Sequence, residues 1–191
     1  MRVIAGLAGG VQLVSPKSDV RPTMDRVKAA IFSSLGELVI GARVLDLFAG
    51  TGALGIEALS RGAESAIFVD EDRQSIAAIE KNLVKTKMQA RVRQQDAFSF
   101  LKATAQLDEE FRIIFADPPY DEMKSGEHFT DKLLADANLP RLLEQNGLFV
   151  LEKRPSEKIP DMKMWELIRQ KTYGATEVLF LSPIRNSQSA I

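Results

Sequence analysis

The sequence lacks cysteine, and only one of its 191 residues is histidine. Disulfides, iron–sulfur clusters, thiolate metal sites and cysteine nucleophiles are therefore excluded. A metal site built from several histidines is excluded because the chain has only one histidine. We expect a protein that needs no metal ion for its function.

Long apolar runs are absent too. No run approaches the roughly 18 residues that a membrane-spanning helix needs. The first residues, Met1-Arg2-Val3, do not begin a long apolar segment that ends in a small-residue cleavage site. We therefore expect a cytoplasmic protein that does not contact a membrane.

A strong net charge is missing as well. The chain has 25 Lys and Arg residues against 26 Asp and Glu residues, and 45% of it is hydrophobic, as in an ordinary soluble globular protein. Residues 1–30 nevertheless hold five basic and two acidic side chains. This basic segment is compatible with a polyanion that touches one face of the protein, and equally with a solvated arm.

The length fits one domain with a small appendage. We predict a hairpin or extended arm over residues 1–22, a single domain over 23–185 and a short tail over 186–191. No segment of the sequence resembles a dimer seam, so we expect a monomer.

Short apolar runs alternate with amphipathic stretches along most of the chain. Strands are predicted at 44–48, 66–69, 91–95, 111–116 and 148–151, with two more near 164–171 and 177–182. Helices are predicted at 23–38 (with Thr23 as the N-cap), 54–59, 76–83, 97–106 and 129–144. This alternation indicates an α/β fold in which helices cover both faces of a mostly parallel sheet.

Four polar features fall where predicted strands end. They are residues 46–52, Asp70, Asp96 and residues 117–120. Ligands of such sheets bind outside the carboxyl ends of the strands. We therefore expect the four features to line one edge and to form the functional site.

The first feature is a glycine-rich turn. Gly50, Gly52 and Gly55 match the G-x-G-x-x-G pattern, and Asp70 follows Gly50 by twenty residues, as in dinucleotide sites. Asp46 argues against a dinucleotide, because a carboxylate there would repel a pyrophosphate and attract an ammonium group. The sequence therefore favours S-adenosylmethionine (SAM), which has an ammonium group, a sulfonium and an adenosine but no phosphate.

Two further acids fit the adenosine of that cofactor. Asp70 is placed to accept hydrogen bonds from the ribose hydroxyls, and Asp96 is placed near the adenine. Asp46 and Asp96 have a simpler alternative role, because acidic side chains at these points also cap helices.

The second motif is Asp117-Pro118-Pro119-Tyr120. Two prolines directly after a buried strand impose a rigid turn. A planar amino group could donate one hydrogen to the Asp117 carboxylate and the other to the Pro118 carbonyl, while Tyr120 stacks on a nucleobase. The alternative is an ordinary turn with a packed tyrosine.

These residues resemble a known family. Residues 44–52, followed by 117–120, are similar to the motifs of amino-group methyltransferases. Residues 21–27, 53–63 and 173–176 are similar to the N-terminal signature, first helix and final hairpin of the RsmD family, the bacterial 16S rRNA guanine-N2 methyltransferases. The similarity covers nearly the whole chain.

The resemblance implies a class I, Rossmann-like methyltransferase sheet of seven strands, with the last strand antiparallel. It implies methyl transfer from SAM to the exocyclic N2 of a guanine in 16S rRNA, either free or in a small ribosomal subunit. Carried over by position, the cofactor residues are Asp46, Phe48, Gly50, Gly52, Asp70, Asp96 and Ala97. The catalytic residues are Asp117, Pro118, Pro119 and Tyr120.

One stretch departs from the family pattern. The hairpin of the family is rich in Lys and Arg, whereas residues 7–12 carry no charge, and phosphate contacts dominate nucleic-acid affinity. RNA contacts are therefore expected elsewhere. The candidates are Lys17, Arg21, Thr23, Arg26 and Lys28 near the N-terminus, and Lys153 and Arg154 after the fifth strand.

Other activities remain open at this point. A DNA adenine-N6 or cytosine-N4 methyltransferase uses a similar turn but generally needs additional sequence to read DNA. A non-catalytic RNA-binding module would tolerate a damaged cofactor turn, and here both motifs are intact. A protein-glutamine methyltransferase typically carries Asn in place of Asp117. We also expect residues 121–129 to form a loop that closes on the base, with His128 as a surface residue.

Overall fold

A computed structural model describes residues 1–15, 22–119 and 128–185 of the chain. Seven strands form one sheet in the order β3-β2-β1-β4-β5-β7-β6. The strands are β1 Arg43–Leu47, β2 Ser65–Asp70, β3 Arg91–Gln94, β4 Phe111–Ala116, β5 Leu143–Lys153, β6 Trp165–Tyr173 and β7 Thr176–Pro183. The helices are α1 Pro22–Leu35, α2 Ala53–Ser60, α3 Arg73–Thr86, α4 Ala97–Thr104 and α5 Phe129–Ala135.

The predicted topology is confirmed. The pairs β1–β2, β1–β4, β2–β3 and β4–β5 are parallel. Only β7, among the described strands, runs antiparallel, and it lies between β5 and β6. The turn predicted at Tyr173-Gly174 joins β6 to β7, and Gly174 has the positive φ of 61° that this turn requires.

Helices cover both faces of the sheet, as predicted. Apolar residues of α1, α2 and α3 pack on one face in a core that includes Phe32, Phe68 and Phe115. Residues of α4 and α5 pack on the other face with Phe111, Phe149 and the single Trp. The strands β1, β2 and β4 are buried on both sides, which explains why they are short, nearly continuous apolar runs.

The N-terminal residues form a small hairpin-like arm. Arg2 and Gln12 make an antiparallel bridge, and the turn between them contains Gly6 and Gly10. The arm is held on α2, where Glu57 accepts hydrogen bonds from the backbone of Ile4 and Ala5. The arm is described over residues 1–15, and the tail predicted over 186–191 lies outside the described residues.

The start of α1 differs from the prediction. The helix begins at Pro22, so Thr23 lies in its first turn and is not the N-cap. Proline suits this position because its φ is already helical and its missing N–H would have no partner there. The α-helix ends at Leu35, and a 3-10 turn continues to Val39.

The helix predicted over 129–144 is wrong in length. The α-helix ends at Ala135, because Asp136 Oδ1 accepts hydrogen bonds from the backbone N–H groups of Asn138 and Leu139 at 2.7 and 3.0 Å. Such a side-chain bond replaces the helical backbone bond. A 3-10 turn over Leu139–Leu142 then leads directly into β5, which starts five residues earlier than predicted.

Candidate active site

The turn between β1 and α2 adopts backbone conformations that few side chains accept. Phe48, Gly50 and Gly52 have φ values of 54°, 55° and 73°, in the left-handed region. A Cβ atom at Gly50 would meet nothing nearer than the Phe48 carbonyl oxygen at 3.9 Å. A ligand therefore has room to approach the backbone at Gly50.

Asp46 lies buried beneath this turn. It is 2% exposed, and its Oδ2 accepts a 2.8 Å hydrogen bond from the Gly55 N–H in the first turn of α2. The pKa of Asp46 is raised to about 8, mainly by burial, which outweighs the lowering effect of the Gly55 bond, and in smaller part by the charges of Asp117 and Asp70. The helix-cap alternative therefore holds for this residue, and its attraction for an ammonium group stays a prediction.

Asp70 ties the glycine turn to the next strand. Its Oδ2 accepts a 2.8 Å hydrogen bond from the Gly50 N–H, and its Oδ1 accepts one of 2.9 Å from the Asp72 N–H. A carboxylate has about four acceptor positions, so both oxygens can still accept hydrogen bonds from hydroxyl groups. Asp70 is thus fixed at the edge of the sheet, and its contact with a ribose stays a prediction.

Asp96 is the N-cap of α4. Its Oδ1 accepts a 2.8 Å hydrogen bond from the Ser99 N–H, so the cap alternative holds here as well. The residue is exposed, and the neighbouring Ala97 is buried. The cap uses one carboxylate oxygen of Asp96. The other oxygen lies at the same edge of the sheet and can still accept a hydrogen bond.

Asp117 and the prolines follow β4 directly, as predicted. Asp117 is partly buried, Pro118 is buried and Pro119 is exposed. Burial raises the pKa of Asp117 to about 6. Tyr120 and residues 121–127 of the proposed closing loop lie outside the described residues, and Phe129, the last residue of that predicted loop, is the first residue of α5. His128 is exposed, in agreement with the prediction.

The structure brings the four predicted acids to one edge. Asp96, Asp70, Asp46 and Asp117 lie at or beside the carboxyl ends of β3, β2, β1 and β4, which are successive neighbours in the sheet. This is the edge at which parallel sheets bind ligands.

A fifth acid at this edge escaped the sequence analysis. Glu152 lies near the end of β5, and burial raises its pKa well above the ordinary value, with Asp117 and Asp46 adding to the increase. The available signal was an acid that directly follows the apolar run 148–151 within β5. It was missed because only the pairing of β4 with β5 places Glu152 beside Asp117.

Three aromatic rings cluster at the same edge. The centroid of Phe48 lies 6.3 Å from that of Phe98 and 5.4 Å from that of Phe129, and the rings of Phe98 and Phe129 are nearly parallel at 6.4 Å. Phe48 was expected to contact the cofactor from the resemblance to the family. Phe98 and Phe129 were not, because they follow different strands and only the fold joins them.

The predicted RNA-contacting residues differ in their exposure to solvent. Arg26 is exposed on α1. Arg21 lies outside the described residues, and for Thr23 only the backbone is described. Arg154 is partly buried, and its backbone N–H donates a hydrogen bond to Glu157.

Lys153 and Lys28 correct the prediction, because the structure buries both. Lys153 is 1% exposed, and its Nζ lies 2.8 Å from Glu177 Oε2. Lys28 is 3% exposed, and its Nζ lies 3.2 Å from Glu57 Oε2. A buried, paired ammonium group does not reach a phosphate, so neither residue is placed to contact RNA.

Two further absences concern only the described residues. Within residues 1–15, 22–119 and 128–185, no group of three metal-ligating side chains lies together. None of the helices in these ranges is long and apolar enough to cross a membrane.

Comparison with known proteins gives consistent matches. A family model described as "Conserved hypothetical protein 95" matches residues 1–182. A candidate rRNA methyltransferase of Bacillus subtilis, YlbH, is 41% identical over 183 residues, which are 93% of this chain and 96% of that protein. The ribosomal RNA small subunit methyltransferase D of Escherichia coli is 37% identical over 177 residues, covering 91% of this chain and 85% of its own.

A solved structure with both ligands of such a reaction is also similar. It is the 16S rRNA N2 G1207 methyltransferase of Thermus thermophilus in complex with AdoMet and guanosine. Its TM-score is 0.67 at 25% sequence identity, and the match covers 87% of this chain and 44% of that chain.

Proposed function

The chain belongs to the RsmD family of SAM-dependent methyltransferases, and on that premise we propose that it methylates the exocyclic N2 of a guanine in 16S rRNA. The observation that carries the proposal is the position of Asp46 and Asp117. Asp46 pairs in register with Phe115, so Asp117 follows two residues later on the neighbouring strand. The donor site and the amine site therefore adjoin on one face of the sheet.

The residues at the edge fit SAM. The segment 44–60 holds no Lys or Arg that would pair with a pyrophosphate, whereas Asp46 suits the ammonium group of SAM. Asp70 and Asp96 would hold the ribose and the adenine, with Phe48, Gly50, Gly52 and Ala97 beside them. Bound SAM supplies a methyl group on a positively charged sulfur.

The chain itself positions the amine. The Asp117 carboxylate accepts one hydrogen of the NH₂ group and the Pro118 carbonyl accepts the other, which fixes the direction of the nitrogen lone pair. Most of the rate increase then comes from holding the reactants in place. Asp117 also stabilises the positive charge that develops on nitrogen. The amine proton leaves either to Asp117 or to water.

The target guanine must be accessible. Its amino group lies inside a paired helix, so the base must be unpaired or flipped out before Asp117 can reach it. Tyr120 is positioned by sequence to stack on the flipped base, and residues 121–129 are the segment that would close over it. Arg21, Thr23, Arg26 and Arg154 are the remaining candidates for RNA contact.

The substrate is 16S rRNA, a small subunit or an assembly intermediate, and the reaction takes place in the cytoplasm. The protein acts as a monomer without a metal ion. Light scattering of the purified protein should therefore give the mass of one chain. Metal chelators should leave the methyltransferase activity unchanged.

The test supplies labelled SAM with unmodified small subunits, free rRNA and duplex DNA in parallel, followed by digestion to nucleosides. The expected product is N2-methylguanosine from at least one RNA substrate, and no product from DNA. Label found only in methyladenine or methylcytosine would overturn the proposal, and so would the absence of transfer to all three substrates.

A further inference from the structure

Glu152 lies directly beside the amine site. Ala116 of β4 pairs in register with Leu151 of β5, so Asp117 and Glu152 are the next residues on two adjacent parallel strands. Such strands are about 4.8 Å apart. The two carboxyl groups therefore leave the sheet side by side.

The register also places both carboxyl groups on the face that holds Asp46. Asp46 and Val150 both pair across β4 with Phe115, and residues two apart on a strand share a face. Asp117 follows Phe115 by two residues, and Glu152 follows Val150 by two. Within the described part of the chain, the Glu152 side chain makes no hydrogen bond or ion pair.

The two halves of this edge have different tasks. The residues expected to hold SAM lie at β1, β2 and β3, on one side of the Asp117 turn. Glu152 lies at β5, on the other side. It therefore lies beside Asp117 on the side away from the residues expected to hold SAM.

We propose that Glu152 selects guanine by accepting a hydrogen bond from the N1–H of the target base. Beside its NH₂ group guanine presents an N–H donor, whereas adenine and cytosine present an unprotonated ring nitrogen that repels an acceptor. Asp117 and the Pro118 carbonyl accept both hydrogens of the NH₂ group. Glu152 provides the further acceptor that the N1–H of guanine requires. A carboxyl group keeps an acceptor oxygen in either protonation state.

This inference rests on the proposed function, and its test begins once the methylated guanine has been mapped. That guanine is replaced by 2-aminopurine, by ligation of a synthetic segment, in whichever RNA or subunit the wild type methylates. The analogue keeps the 2-amino group but has no N1–H. The values of kcat and KM are measured on both substrates for the wild type, Glu152→Gln and Glu152→Ala.

The wild type is expected to prefer guanine over the analogue by about tenfold to hundredfold in kcat/KM, which is the size of one specific base contact. Glu152→Ala lowers kcat/KM on guanine but not on the analogue. Glu152→Gln narrows the preference most, because its amide can also donate a hydrogen bond to the bare N1. Glu144→Gln, at the opposite end of β5, keeps the wild-type preference.

An unchanged preference in both Glu152 variants would overturn the inference while leaving the proposed function intact. Equal losses on both substrates, with weaker SAM binding or a lower melting temperature, would assign Glu152 a structural role and overturn it as well. Failure of the wild type to methylate any guanine would refute the proposed function itself.

Discussion

Asn82 and Val14 exchange two hydrogen bonds. The Asn82 Oδ1 accepts from the Val14 N–H at 2.7 Å, and its Nδ2 donates to the Val14 carbonyl at 2.9 Å. The same amide also donates to the Thr51 carbonyl at 2.9 Å. The fully buried side chain of Asn82 therefore joins the N-terminal arm to the glycine turn.

Asn82→Ala should destabilise the protein by about 1–3 kcal/mol, because it leaves buried backbone groups without partners. The free energy of unfolding in urea measures this loss. SAM affinity should also fall, because the Thr51 carbonyl in the glycine turn loses the hydrogen bond from Asn82. Gln12→Ala, an exposed change on the same arm, serves as the control, and equal stability of the two variants would contradict this account.

Asp46 should make stability fall as the pH rises. Burial raises its pKa from 3.8 to about 8, so between these values the unfolded chain has released a proton that the folded protein still holds. The free energy of unfolding therefore decreases from about pH 4 to pH 8. Asp46→Asn removes this contribution and keeps an oxygen for the Gly55 N–H.

Urea unfolding of the wild type and Asp46→Asn at pH 5 and pH 8 measures the effect. The variant should gain stability relative to the wild type at pH 8 compared with pH 5. The same difference at both pH values would mean that Asp46 is already ionised in the folded protein. SAM affinity should be weaker in the variant at pH 8 and above, where the wild-type carboxyl group ionises and the amide carries no negative charge.

Arg26→Gln should weaken RNA binding and lower its salt dependence. Each phosphate contact contributes roughly one unit to the slope of log affinity against log salt concentration. Arg169→Gln, an exposed change on β6, is the control. Identical slopes for the two variants would exclude Arg26 from the RNA interface.

Lys153→Met should affect stability rather than RNA binding. The change removes the ammonium partner of the Glu177 carboxylate, which keeps hydrogen bonds from Gln170 and Thr172, and should cost about 1–3 kcal/mol. Thermal unfolding measures the loss, with the exposed Lys158→Met as control. A variant that bound RNA less tightly but melted normally would return Lys153 to the RNA surface.

Asp117→Ala should lower kcat by about a hundredfold to a thousandfold, which is typical when a group that stabilises developing charge is removed. Titration calorimetry should show nearly unchanged SAM affinity, because Asp117 faces the amine. Equal losses of turnover and SAM affinity would mean that this carboxylate holds the donor instead.

The wild-type kcat should fall on the acidic side of about pH 6. Burial raises the pKa of Asp117 to about 6, and only its ionised form stabilises a positive nitrogen. The pH profile of single-turnover methyl transfer measures this. Because the charge of Asp117 also raises the pKa of the neighbouring Glu152, the observed value belongs to the pair of carboxyl groups. A flat profile from pH 5 to pH 8 would contradict the assignment.

Local motifs made it possible to predict, from the sequence, much of the fold and of the acidic edge at the carboxyl ends of the strands. The glycine turn, the double proline and the acids at strand ends are short patterns with local physical causes. The helix over 129–144 was too long because a single side chain, Asp136, ends it, and no periodicity reveals that bond.

Long-range pairing accounts for what the sequence did not predict. Lys153 looks like a surface cation until Glu177, twenty-four residues away, is placed against it. Glu152 becomes part of the amine site only through the register of β4 and β5. In each case the partner is decided by tertiary structure, which local composition does not encode.

The most direct test of the central claim is a crystal structure with bound SAM. The account predicts that the methyl carbon points at the turn formed by Asp117 and Pro118, with the adenosine over Asp70 and Asp96. A methyl group directed away from that turn, or an adenosine on the β5 side of the edge, would contradict it.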